Sequence, residues 1–250
     1  MPLQPLSPQR LYRQIADQLR ALIERGEFPP GTRLPPERDL AVQLGVSRPS
    51  VREALIALEV EGRVVVRLGS VIYVRLCGAR AAAVHEAESP LETIRARALI
   101  EGELAAQAAQ RMKRAQLGGL REAIALMVQE SAAGQTPTQG DRLFHTRIAE
   151  ASENSVLLRV VSELFDERHN PLFAQLGSHF ENARSWAAAI EEHKAVVDAI
   201  ARQDPAAARE AMARHLANSH DRFMASWPAE GEAPARAPGK SAPRKRKATA

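Results

Sequence analysis

The 250 residues include a single cysteine, Cys77, so the chain cannot close an internal disulfide, which suits a reducing compartment. No stretch approaches the roughly 20 apolar residues of a membrane helix, and residues 1–30 lack the apolar core of a signal peptide. No internal repeat is found. These absences set aside disulfide scaffolds, membrane-spanning proteins and repeat arrays, and point to the cytoplasm. What is present is ordinary for a globular protein: 45% hydrophobic and 26% charged residues, with length enough for two domains.

Charge is unevenly spread. Residues 1–77 carry 11 Lys/Arg against 8 Asp/Glu, residues 78–227 carry 17 against 20, and residues 228–250 carry 6 against 2. A basic front, an acidic middle and a basic tail suggest an anionic partner for the front.

Apolar residues at Leu11, Ile15, Leu19, Leu22 and Ile23 make the stripe of an amphipathic helix, which Gly26 and Pro29-Pro30 end. A second helix starts near Pro36 and is capped by Gly45; a third starts on Ser47 and carries Val51, Leu55, Leu58 and Val60. RVVVRLGSVIYV (63–74) reads as two β-branched strands around Leu68-Gly69-Ser70. Three helices and a hairpin are the element order of a winged helix-turn-helix. Residues 78–89 read as a linker. Helices are expected near 91–113, 115–133, 138–152, 154–168, 184–202 and 205–226, with Asp204-Pro205 as cap and first position of the last. Residues 228–250 are expected to be a disordered basic tail. The chain is therefore mainly α: a winged helix-turn-helix over 1–76, a linker over 77–89, and an all-α antiparallel bundle over 90–227.

A helix-turn-helix lays its second helix in the major groove, N-terminus toward the base edges. Here that end is Ser47-Arg48-Pro49-Ser50-Val51-Arg52. Arg48 and Arg52, four apart, share a face; each can offer paired N–H donors to guanine or phosphate. Ser47 and Ser50 can donate to phosphates, and Arg38 can reach the flanking backbone. The alternative is that these arginines are solvated surface charges. The stretch FPPGTRLPPERDLAVQLGVSRPSVREALIALEVEGRVVVRLGSVIYV resembles the winged helix of GntR-family bacterial repressors across nearly all of residues 10–76. The resemblance implies that Arg38, Arg48, Arg52 and the wing residue Gly69 contact DNA. The wing departs from the family's Gly-x-Gly, reading Gly69-Ser70-Val71, which reduces its backbone latitude.

In the rear half, Asp141 and His145 stand at i and i+4 of one helix, with His193 and His215 on two later helices. Three imidazoles and a carboxylate from three antiparallel helices can converge on a divalent ion, Zn²⁺ first, with Ni²⁺ or another borderline metal also suited. Each histidine can equally be a hydrogen-bonded core or surface residue. Residues 90–226 resemble the all-helical FCD effector domain of FadR-type GntR regulators. Metal-binding members of that branch carry this four-residue set, which makes acyl-CoA an unsuitable effector. An open coordination position would bind a small carboxylate or hydroxy acid. Arg97, four residues before Glu101, is a candidate clamp, a plain salt bridge between the two being the competing reading. Asn218, three after His215, can reach an effector hydroxyl, and Asn154 can serve as a helix cap.

Four phrases, SPLETIRARALIEGELAAQAA, DRLFHTRIAEASEN, RHNPLFAQL and DPAAAREAMARHLANS, resemble regulators of hexuronate utilisation more than the lactate or citrate branches. RHNP, with His169 and Asn170, is the most distinctive. The whole reads as a homodimeric repressor of a palindromic operator in double-stranded DNA, released by a sugar acid, with no membrane partner. PRKRK (243–247) can add phosphate attraction. The rival class is a metal-dependent enzyme with Glu101 or Glu192 as base, but nothing marks a dedicated general base.

Overall fold

The computed structural model describes residues 10–67, 71–75 and 87–225. The front half holds α1 (Leu11–Glu24), α2 (Glu37–Leu44), α3 (Arg48–Val60) and the strands β1 (Val64–Arg67) and β2 (Val71–Val74). Gly45 ends α2 in the left-handed conformation at φ +65°, where only glycine avoids a Cβ penalty. Ser47 caps α3, its hydroxyl accepting from the Ser50 amide, and Pro49 stands in the first turn. β1 and β2 pair antiparallel, Val64 facing Val74 and Arg67 facing Val71. Gly69, Cys77, most of the linker and the whole basic tail lie outside the described residues.

The rear half is helical: α4 (Pro90–Arg111), α5 (Arg114–Ala132), α6 (Thr138–Glu150), α7 (Ser155–Asp166), a 3₁₀ turn (Glu167–His169), α8 (Pro171–Phe180), α9 (Ala183–Ala201) and α10 (Pro205–Met224). Six of these helices fall where the residue spacing places them, and α8 was not anticipated. It arises from Asn170-Pro171, with Asn170 Oδ1 accepting from the Phe173 amide and Pro171 at the first position. Asp204-Pro205 starts α10 in the same way, and Asn154 caps α7 through the Val156 and Leu157 amides. α10 packs along α4, and α5 along α6.

The core falls into two clusters. One, built on Leu104, Leu120, Met127, Phe144, Val196 and Met212, fills the rear bundle. The other starts from Tyr12, Leu19, Leu55 and Ile72 in the front half but continues into Leu91, Ile94, Leu172, Phe173, Phe180 and Phe223. The halves thus share buried surface. The described end of the linker is fastened too: the Tyr12 hydroxyl donates to Ala87 O at 2.9 Å, and the Ser89 hydroxyl to Glu53 Oε1 at 2.6 Å.

Candidate metal centre and nucleic-acid interface

α6 presents Asp141 and His145 one turn apart, α9 brings His193 and α10 brings His215; all four are buried. One ligand atom from each lies within 4.8 Å of the others. His193 Nε2 is 3.1 Å from Asp141 Oδ1 and 3.2 Å from His145 Nε2, which is 3.5 Å from the same oxygen. Donor atoms about 2.0–2.2 Å from one ion sit roughly 3–3.5 Å apart, so the spacing suits a shared cation. Asp141 Oδ1 is buried without a hydrogen bond, an orphan acceptor of the kind a cation satisfies.

Two of the imidazoles are oriented from behind. His145 Nδ1 donates to Glu101 Oε2, while Glu101 Oε1 accepts from Arg97 Nε at 2.6 Å. His215 Nδ1 donates to Glu192 Oε2 at 2.9 Å, and Glu192 is itself held by Asn218 Nδ2 and Arg222 Nη2. Placing the proton on Nδ1 leaves each Nε2 lone pair for an ion. Burial works to raise Glu101, but the charges of Arg97 and His145 outweigh it and hold the carboxyl at about 2. Asp141, equally buried, is held well below the usual carboxylate range by His145 and His193. Burial pushes His193 down, and with the help of His193 pushes His215 down to about 3. For His145 burial acts downward too, yet the Glu101 charge prevails and raises it. An ionised Asp141 beside neutral His193 and His215 is the ligating form.

Against the cluster lies a recess of about 40 Å³ lined by Arg97, Asp141, Arg168, Trp186, His215 and Arg222, with Phe180 and Phe223 in its wall. Arg97 Nη2 and the Trp186 indole N–H are both buried and unpartnered. Arg168 pairs with Glu181 at 2.7 Å, lies 3.8 Å from Asp141 Oδ2, and stacks over Trp186. A larger depression of about 560 Å³ adjoins the recess, sharing Phe180, Ser185 and Arg222 and adding Asn218.

The four predicted ligands are brought together; Arg97 makes the salt bridge to Glu101 through Nε, and its side chain also lines the recess. Glu101 is corrected. It is fully buried behind His145, does not line the recess, and serves to orient the imidazole. Asn218 lines the outer depression rather than the recess, with its amide committed to Glu192. Sequence reasoning missed Arg168, Trp186 and Arg222. The phrase RHNP was a usable signal whose role the sequence left open: Arg168 reaches the site, Asn170 caps α8, and His169 is exposed.

At the front, Arg38 and Arg48 have side chains 81% and 53% exposed, and Ser47 and Ser50 stand beside them at the start of α3. Arg52 is corrected. Its side chain is 0% exposed. Its Nε and Nη2 donate to Glu37 at 2.9 and 3.2 Å, and its Nη1 donates to the carbonyls of Phe223 and Ala225 at the end of α10. In this arrangement no DNA can reach it.

A winged helix-turn-helix joined to a helical domain with a buried ligand set and a recess defines a DNA-binding transcription regulator with a sensing domain. Residues 11–74 match the family model described as bacterial regulatory proteins, gntR family, and residues 92–218 match the FCD domain. The Uxu operon transcriptional regulator of Escherichia coli K12 is 37% identical over 230 residues, covering 87% of this chain and 88% of that one. The Exu regulon transcriptional regulator of the same strain is 37% identical over 224 residues, covering 85% and 84%. Among solved structures, Streptococcus agalactiae GntR matches at 25% identity and a TM-score of 0.45, over 84% of this chain and 99% of that one. The chain belongs to the GntR family, in the group carrying an FCD domain. Its relatives are transcription regulators rather than enzymes, and among the described residues no helix is long and apolar enough to cross a membrane.

Proposed function

We propose that the chain is a homodimeric repressor whose operator binding is relieved by a hexuronate held at a metal in the rear domain. The observation that carries this reading is the ligand set Asp141, His145, His193 and His215 opening onto a recess with unpartnered cationic and N–H donors. A divalent ion on those four residues, Zn²⁺ first, would supply a Lewis-acidic anchor for a carboxylate. Arg97 Nη2 would donate to that carboxylate, and Arg168 would add positive charge. Trp186 and Arg222 would take ring hydroxyls, with the sugar body extending past Asn218 into the outer depression. The similarity to the Uxu and Exu regulators supports a hexuronate over another hydroxy or dicarboxylic acid.

On the DNA side, Arg48 would read the major groove, Ser47, Ser50 and Arg38 would bind backbone, and Gly69 would enter with the wing. A dimer would present two α3 helices to half-sites about one helical turn apart. It is supported by an apolar arc on α7 that the monomer leaves uncovered: Val156 is 57% exposed and Val160 and Leu164 are only half-buried. Gel-shift titration of the metal-loaded protein on its own upstream DNA, with hexuronates against lactate and citrate, tests the reading. Release by a hexuronate alone, lost after EDTA and regained with Zn²⁺, is the expected result. Indifference to every acid overturns the effector assignment.

A further inference from the structure

A groove-reading helix needs its outer face free. From Val51 to Leu58, however, α3 is buried on every side, between α1 and α8. Its first turn, with Ser47, Arg48 and Ser50, meets solvent, and at its far end Glu59 and Val60 are half-buried. The deepest polar group in this contact is Arg52, whose guanidinium lies over the Phe180 ring at 5.1 Å and donates to two carbonyls in the last turn of α10. Carbonyls exposed at a helix C-terminus carry partial negative charge and satisfy a guanidinium as a phosphate would. Phe180 and Phe223 therefore have two tasks: on one side they hold Arg52, and on the other they wall the recess beside the ligand set. Arg222, adjacent to Phe223, faces that recess as well and is tied to Glu192, which orients His215.

We propose that the last turn of α10 is an internal competitor of DNA for Arg52, and that the recess controls it. This rests on the effector reading above and names how that site regulates the front domain. With Arg52 docked, the recognition helix is covered by α8 and the protein is unfit for its operator. Operator binding requires α3 to leave α8 and Arg52 to exchange the two carbonyls for DNA. A sugar acid bridging the ligand set and Arg222 fixes the last turn of α10, favours the docked form, and so lowers operator affinity. By reciprocity the operator lowers affinity for the acid to the same degree. A second tie lies clear of the recess: Glu59 Oε2 of α3 accepts from Gln175 Nε2 at 3.0 Å and meets His179 Nε2 at 2.6 Å, both from α8. That tie can be cut without removing a residue of the ligand set, the recess wall or Arg52 itself, although His179 also meets the Phe180 ring edge-on.

The test is hydrogen exchange on the full-length, Zn²⁺-loaded protein, alone, with operator duplex, and with hexuronate, alongside the double variant Gln175→Ala/His179→Ala. Operator should raise amide exchange in α8 and the last turn of α10, and the acid should reverse this. The variant, with the docked form weakened, should bind operator about five-fold tighter without acid. Operator bound with α8 and the α10 turn as protected as in free protein overturns the proposal, as does unchanged affinity in a folded variant. Deprotection by operator in a protein that ignores every acid would keep the competition for Arg52 and remove its control by the recess together with the effector reading. Binding by the variant alone would support the proposal, and binding by neither would overturn it along with the DNA reading.

Discussion

Arg48 and Arg52 share a helix, a face and a side chain, and differ in what surrounds them. Both donate to Glu37, but Arg48 does so from the surface whereas Arg52 is enclosed by Glu37, Phe180 and the α10 carbonyls. Their alanine variants should therefore differ in kind. Arg48→Ala should leave the melting temperature within a degree or two and cost about 1–3 kcal/mol at the operator. Arg52→Ala leaves a buried carboxylate and two carbonyls undersatisfied and should destabilise the fold by about 3–5 kcal/mol, seen as a lower urea midpoint. Equal stability of the two variants would contradict the placement of Arg52. Glu53 gives a pH test. Burial raises its carboxyl above the ordinary 4.5, against the Ser89 and Leu91 hydrogen bonds and the Arg95 charge, and with Glu92 adding to the rise. A raised carboxyl keeps its proton more readily folded than unfolded, so ionised Glu53 costs stability above its folded value. Glu53→Gln retains the accepting oxygen and should be the more stable protein at pH 7. That advantage should shrink as pH falls through the raised value toward 4.5, and thermal melts across pH 4–8 would show it.

At the scale of elements, the caps and stops were legible because they are local: Ser47, Gly45, Asp204-Pro205 and Asn154 act within three or four residues of themselves. The ligand set was legible for the same reason, since i, i+4 spacing fixes a helical face whatever the tertiary fold. The burial of Arg52 was not legible, because the two carbonyls it donates to lie more than 170 positions away at the end of α10 and the ring it covers is on α8. The recess residues Arg168, Trp186 and Arg222 escaped for a related reason: they converge from the turn before α8, from α9 and from α10, and no spacing rule links them. α8 itself was hidden by its brevity, ten residues between a 3₁₀ turn and an N-capped neighbour. One close contact behind the ligand set can be tested directly. A Cβ on Gly140 would stand 2.7 Å from the Met127 amide nitrogen and 2.8 Å from Ala123 O, backbone atoms of α5 that have no rotamer to escape into. Gly140→Ala should push α6 off α5, cost about 1–3 kcal/mol of stability, and displace the adjacent Asp141. Calorimetry should accordingly find weaker Zn²⁺ binding as well as a lower melting point.

At the scale of the molecule, the shared core packs front and rear against each other as one unit. It also leaves one surface unexplained by the monomer. The polar side of α7 carries Arg159, Ser162, Glu163 and Asp166, while Leu157, Leu158, Val161 and Phe165 pack into the bundle. Val156, Val160 and Leu164 recur every four residues along the remainder, which is the spacing of a helix prepared to meet another helix. If a second copy covers this arc, a charge placed there must separate the copies without harming the monomer. Val156→Asp/Val160→Asp should sediment as a monomer of about half the parent mass, keep its Zn²⁺ affinity, and lose most of its operator affinity, because a single α3 then reads one half-site. Sedimentation and gel shift on the same preparation decide the matter: a variant that stays dimeric places the dimer interface elsewhere, and a monomer that binds operator undiminished shows that the two half-sites are not read together.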